Sequence, residues 1–219
     1  NGNIKDAITA AGKRSDTSKR FRIIVKAGEY TFPASETTTV NGSDNVAYAD
    51  PAIYINTPNV SIIGESMAST ILTNTVPTNL VNGTYGPANP IEGIGKGDVV
   101  KLQGGAINTY FEDITLKSGM ADATGRNIVL NDGGNKTICK NITLYAYQDT
   151  YVSNNQNGRF YFEDGVIRGR TDYICGKGDV YFNNVNFKNC DKGGYIAVPS
   201  QPKKYGYILN NCKIGRAHV

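Results

Sequence analysis

The amino-acid sequence predicts an all-β solenoid, a parallel β-helix with a short helix at its N-terminal end. A strand motif recurs along the chain: an apolar residue, a spacer, Asn or Asp, then further apolar positions. Glycine supplies 25 of the 219 residues and, with abundant Asn, Asp and Thr, provides for many tight turns. Runs of Leu, Glu and Ala, which favour helices, are scarce. A chain of this length fits one domain with a substantial core.

Taken in order, Ile4, Ala7, Ile8 and Ala11 recur at helical spacing, so a helix is expected over residues 4–11 with Gly12 as its stop. Residues 21–26 read as a strand ended by Ala27-Gly28-Glu29. The repeat follows, with an early, weaker copy at 58–63 and five clear ones at 111–116, 139–144, 162–167, 182–187 and 209–214. Their Asn or Asp anchors stand at 113, 141, 164, 184 and 211, giving steps of 28, 23, 20 and 27 residues. Uneven steps suit coils whose short strands stack while the turns between them vary in length. Period-2 alternation then puts Ile114/Leu116, Ile142/Leu144 and Val185/Phe187 in register. An antiparallel β-sandwich also has short alternating strands, but hairpin turns do not usually repeat the strand motif itself. Segments 33–52 and 76–98, rich in Pro, Gly, Asn and Thr, read as surface loops of one solenoid.

Composition also excludes function classes. The net charge of +4 is mild; it suits an acidic polymer such as a polyuronate, and equally a solvated surface. No basic block points to nucleic acid, and no apolar stretch is long enough to span a bilayer. Neither an EF-hand loop nor a phosphate-cradling Gly motif occurs. Cys139, Cys175, Cys190 and Cys212 lack CxxC spacing, which argues against a zinc site and leaves their pairing and the redox compartment open. The chain opens at Asn1-Gly2-Asn3, so a removed targeting segment stays open too. The one histidine, His218, lies in residues 214–219, Ile-Gly-Arg-Ala-His-Val, which read like an adapter frame run onto an incomplete gene. The native domain is therefore expected over 1–213, without histidine.

Chemistry concentrates in Tyr147-Gln148-Asp149-Thr150-Tyr151 and, 23 residues after Asp149, in the stretch around Asp172. A spacing of one coil stacks Asp149 near Asp172 on one face. Two carboxylates so placed cannot both ionise cheaply, so one can stay protonated as an acid while the other acts as base or nucleophile. Gln148 offers an uncharged donor to a developing oxyanion. Most Asp or Asn side chains in a solenoid cap turns or form ladders. The aromatic and apolar neighbours of both acids favour function here.

Tyr147-Gln148-Asp149-Thr150 followed by Asp172-Tyr173-Ile174-Cys175-Gly176 resembles the two central motifs of the pectin methylesterases. The similarity runs from Ile4-Lys5-Asp6-Ala7-Ile8 through Val25-Lys26-Ala27-Gly28-Glu29-Tyr30 and Ile62-Ile63-Gly64-Glu65 to Asn210-Asn211-Cys212. Residues 147–155 with Gly158-Arg159-Phe160-Tyr161-Phe162 look most like bacterial members. The resemblance implies a right-handed parallel β-helix that hydrolyses methyl esters of polygalacturonate (pectin) without metal or organic cofactor. A secreted or periplasmic monomer is expected. By motif position Asp172 matches the nucleophile, Asp149 the acid and then base, and Gln148 an oxyanion donor. Tyr147 and Tyr173 match aromatics of the substrate groove, positions that packing alone would also explain.

Departures from the pattern qualify this. Arg126 stands where the family places a second oxyanion Gln, either as a donor to substrate or as a solvated turn residue. Phe32 replaces a common Glu, and Val152 and Cys175 replace common aromatics. The family's Gly-Arg-Pro-Trp motif is absent, since Gly215-Arg216-Ala217 arrives too early, so poor turnover is expected of residues 1–219 alone. A polygalacturonase or a Ser-His-Asp hydrolase calls for a histidine that residues 1–213 lack. A pectate lyase finds only Arg168 and Arg170 to suggest it. A non-catalytic, glycan-binding β-helix at the cell envelope is the reading from another class, and the retention of both acids favours catalysis over it.

Overall fold

Alternating burial decides how the strands stack. In Tyr110–Lys117, Phe111, Ile114 and Leu116 are buried, and in Thr137–Tyr145 so are Cys139, Ile142 and Leu144. The two strands pair in parallel with those residues side by side, a register that a one-residue slip would turn inside out. Phe162, Phe182 and Leu209 continue the Cys139 column, and Ile167, Phe187 and Ile214 continue that of Leu144. Each such apolar side chain, once enclosed, contributes about 1.5–3 kcal/mol.

The computed structural model describes residues 3–33, 39–41, 46–48, 52–75, 98–119, 127–190, 194–200 and 204–216. Within them a 12-stranded sheet faces a 6-stranded one made of Ile53–Ile55, Val100–Leu102, Leu130–Asp132, Tyr151–Ser153, Ile174–Gly176 and Ala197–Pro199. Among the described residues, every pairing is parallel except the hairpin Thr39–Asn41 with Val46–Tyr48. Across the core, Tyr151 of the shorter sheet meets Phe162 of the longer edge-on, ring centroids 4.7 Å apart. The result is the expected β-helix, its coils right-handed as parallel crossovers are.

Each coil turns at three bends, and each bend holds residues with left-handed φ. Asn59, Asn108 and Lys136 (58° to 59°) mark the first, and Asp113, Asn141, Asp164, Asn184 and Asn211 (49° to 55°) the second. Asp149 and Asp172 (54° and 48°) mark the third. Asn and Asp tolerate this conformation better than other residues with a Cβ, which explains the repeating anchors. Their side chains also form ladders. The Asn141 amide donates to Asp113, Asn184 Nδ2 to Asp164 Oδ1 at 2.6 Å, and Asn108 Nδ2 to Asn59 Oδ1 at 3.1 Å.

Several expectations shift. The early repeat does not align through Asn59: Ile62 lies beside Phe111 and Ile63 beside Glu112, so Gly64 takes the anchor rung and Asn59 belongs to the first bend. The helix runs Ile4–Lys13, through Gly12. It ends where Arg14 turns extended and its guanidinium gathers the carbonyls of Ala11, Thr17 and Pro58. Its apolar face, Ile4, Ile8 and Ala11, lies against the first coil. The first strand stops at Val25, and Gly28 opens a second one, Gly28–Pro33, paired with Thr70–Thr75. Of the two expected loops, 33–52 contributes the hairpin, and nearly all of 76–98 lies outside the described residues. The last described strand, Lys213–Arg216, pairs with Asn186–Asn189 and leaves the expectation for 214–219 as it stands.

One carboxyl points into this core. Asp132 is buried, its Oδ1 accepting from Gly134 N (3.0 Å) and Thr137 Oγ1 (3.1 Å), and burial pushes its pKa up to about 7. The folded protein therefore holds a proton there that the unfolded chain releases at lower pH. This contribution to stability is complete at acid pH and is lost as pH rises to about 7. Urea midpoints across that range should fall with rising pH, and Asp132→Asn should flatten the dependence. Asn141→Ala, which combines a strained left-handed Ala with a broken ladder, should cost about 1–3 kcal/mol by urea unfolding. Asn141→Gly should restore the part due to backbone strain.

Candidate active site

The third bend brings the two acids together. Gln148 bridges Thr171 in parallel and Tyr151 lies beside Ile174, so Asp149 stacks on Asp172 one rung away, roughly 4.8 Å along the axis. Asp149 N donates to Thr171 O at 3.2 Å. With near-equal φ, both side chains leave the backbone in the same sense. Asp149 is 6% exposed and Asp172 half-buried. At the second bend each stacked Asp meets an Asn that donates to it, whereas here carboxyl stacks on carboxyl. A structural ladder would not choose that pairing, because like charges a rung apart oppose each other.

The surrounding chain holds this bend firmly. Tyr147 O accepts from Arg170 N (2.6 Å) and Thr171 N (3.3 Å), and buried Thr150 donates through Oγ1 to Arg168 O at 2.9 Å. Gly169 passes so close under Tyr173 that a Cβ would overlap the Tyr173 side chain. The Arg170 guanidinium lies 5.8 Å from the Tyr147 ring centre and that of Arg168 4.0 Å from Tyr145, placing two cations on the rung of Asp172.

The structure brings Tyr147, Gln148, Asp149 and Asp172 to one bend, with Tyr147 and Gln148 half-buried. Tyr173 goes elsewhere. It is fully buried, its hydroxyl donates to Asn189 Oδ1 at 2.8 Å and its ring tilts against Phe187, so this expected groove aromatic is a core residue. Inward alternation from Asp172 explains the difference. Arg126 lies outside the described residues.

Two neighbours escaped sequence reasoning. Buried Asn127 accepts, through one Oδ1, from Tyr147 N (2.9 Å) and Gln148 N (3.1 Å), while its own N donates to Gln148 O at 3.1 Å. It thereby sets the backbone that presents Gln148. A polar residue directly before the apolar run Ile128-Val129-Leu130 was the available signal. Tyr195, 70% exposed, occupies the rung after Asp172, as Ala197 pairs with Ile174. Its signal was the same 23-residue step. Together the bend offers two carboxyls, an amide donor and an exposed aromatic, a set suited to acid, base or nucleophilic work on a polar substrate.

Comparison with known proteins follows this geometry. The family model described as Pectinesterase matches residues 2–217. Pectinesterase 2.1 of Solanum lycopersicum is 26% identical over 194 residues, 88% of this chain but 29% of that protein. Pectinesterase B of Dickeya dadantii is 26% identical over 166 residues, 61% of this chain and 38% of its own length. The chain thus spans about a third of the curated relatives it matches. A pectin methylesterase structure from Yersinia enterocolitica superposes with TM-score 0.71 at 22% identity, covering 99% of this chain and 66% of that one. Another, solved in complex with a hexasaccharide, gives 0.70 at 20% identity, over 100% of this chain and 63% of that one. At such identity the structural likeness speaks for the fold.

Asn127→Ala would leave the amides of Tyr147 and Gln148 without this acceptor. The variant should lose about 1–3 kcal/mol in urea unfolding, and hydrogen exchange should quicken by at least about tenfold at those two amides. Unchanged exchange at both would remove the positioning role.

Proposed function

The chain belongs to the pectinesterase family, and on that footing we propose that it hydrolyses methyl esters of polygalacturonate, with Asp172 and Asp149 as its working pair. An Asp172 carboxylate oxygen attacks the ester carbonyl carbon. The new C–O bond pushes an electron pair onto the carbonyl oxygen, where the Gln148 side-chain amide donates to it. Collapse of this oxyanion breaks the bond to methoxide, which takes the Asp149 proton and leaves as methanol. The remaining mixed anhydride is opened by water, one of whose protons passes to Asp149 while the other leaves on the uronic acid and is then lost to solvent to give the uronate, and Asp172 regains its carboxylate. No redox partner enters, and atoms and charge balance over the cycle.

The observation that carries this reading is the stacking of Asp149 on Asp172 where the second bend pairs Asp with Asn. Asp149, the more enclosed, suits the acid that must not trade its proton with bulk water. Asp172, half-buried and the more open of the two, suits the group that reaches the substrate. Tyr147 and exposed Tyr195 flank the bend and are the sugar contacts in this proposal. A secreted or periplasmic location and monomeric action belong to the same proposal.

Methanol release from highly esterified pectin tests it. Asp172→Asn should lower the rate by at least about a thousandfold while far-UV circular dichroism and the unfolding midpoint hold. A variant as fast as the parent sequence would reject the assigned nucleophile.

A further inference from the structure

The outer surface of the longer sheet carries a feature the paired acids do not use. Tyr110, Ile138, Tyr161 and Tyr181 share one register on four successive rungs, alternating with the inward Phe111, Cys139, Phe162 and Phe182. They face water: Ile138 is 40% and Tyr181 38% exposed. Tyr161 and Tyr181 stack at 5.8 Å with planes 14° apart, and shorter Ile138 leaves a notch between Tyr161 and Tyr110. These side chains floor a groove of about 590 Å³.

One wall of the groove is cationic. Arg20, Lys136 and Arg159 line it from the first bend, all exposed, with Lys136 and Arg159 on adjacent rungs about 4.8 Å apart. Arg20 donates to Ser61 Oγ at 2.9 Å. Among the described residues, none of the three lies within 4.0 Å of a carboxylate; the ion pairs there are Lys19–Asp16 and Lys26–Glu65. Beyond the tyrosine row the next register column reads Glu112, Lys140 and Glu163, and burial with the Glu112 contact pushes the Tyr110 hydroxyl up to about 12. The cations lining the groove therefore gather at its first-bend edge, with Asp179 on the rung after Arg159, while charges of both signs stand past the other edge.

An aromatic floor beside unpaired cations fits a chain of pyranose rings bearing carboxylates along one side. Apolar sugar faces meet tyrosine, and the carboxylates meet Lys and Arg. We propose that this groove is a second binding site, for de-esterified acidic polysaccharide of the uronan class. It is separate from the carboxyl pair, which sits at the third bend beside the opposite sheet. Its role would be to hold the polymer while the other site works, and it stands whether or not that site is an esterase.

Affinity electrophoresis through gels containing polygalacturonate tests the site. The protein should be retarded, and Asp172→Asn should be retarded equally. Lys136→Asn with Arg159→Gln, and separately Tyr161→Ala with Tyr181→Ala, should each weaken apparent affinity about tenfold. Lys136 has a left-handed φ of 59°, so Asn there suits the fold, and thermal melts monitor both pairs. Neutral galactan and polyglutamate should retard much less. Unchanged retardation in both paired variants, loss of it in Asp172→Asn, or equal retardation by polyglutamate would each overturn the proposal. Methanol release is read independently, so failure of the esterase assignment is distinguishable from failure of groove binding.

Discussion

Left-handed residues at the bends, present from Asp113 to Asn211 on five successive rungs of the second, are the constraint on which the molecule depends. Strands of a few residues become a coil only if the backbone turns sharply between them, and a single positive φ does this without adding length. Among the described residues, all but one of the non-glycine residues with that geometry are Asn or Asp, Lys136 being the exception. Stacking the bends rung on rung brings their side chains within hydrogen-bonding reach, so the element that turns the chain also ties coil to coil. The apolar columns inside follow from the same register, since turning at the wrong residue would carry Phe162 or Phe182 out to water.

The candidate site is a variation on this device and not an addition to it. Asp149 and Asp172 adopt the backbone of any other bend residue. What differs is chemical: the amide that neutralises an Asp at the second bend is replaced by another carboxyl. Proteins keep locally unfavourable arrangements where function needs them and offset the cost elsewhere, here through Thr150, Asn127 and the close passage of Gly169. The pair occupies a bend common to the whole fold, so small changes of side chain there alter chemistry while the coil is preserved.

Relatives from a plant and a bacterium match this chain at the same 26% identity, and solved structures near 20% still superpose over nearly all of it. Such tolerance is what a solenoid predicts. Each rung contacts only its neighbours, so a substitution is absorbed locally provided alternation and bends survive. Phe, Ile, Leu, Val and Cys interchange along the inner columns of this chain itself: Ile62, Phe111, Cys139, Phe162, Phe182 and Leu209 share one.

Sequence alone determined the solenoid, because its two requirements are local. Period-2 alternation marks the buried face, and Asn or Asp marks where the chain turns left-handed. The same periodicity placed Asp149 above Asp172, since one coil is a countable number of residues. Tertiary structure decided what depends on direction and reach. It turned Tyr173 into the core while leaving Tyr195 in water, set Asn59 at a different bend from the anchors it mimics, and closed the N-terminal helix with Arg14 instead of Gly12. It also brought Asn127 beneath Gln148 and gathered Arg20, Lys136 and Arg159 beside three tyrosines. Residues distant in sequence become neighbours only once coil lengths are known, and those lengths are set by turns that share no common period.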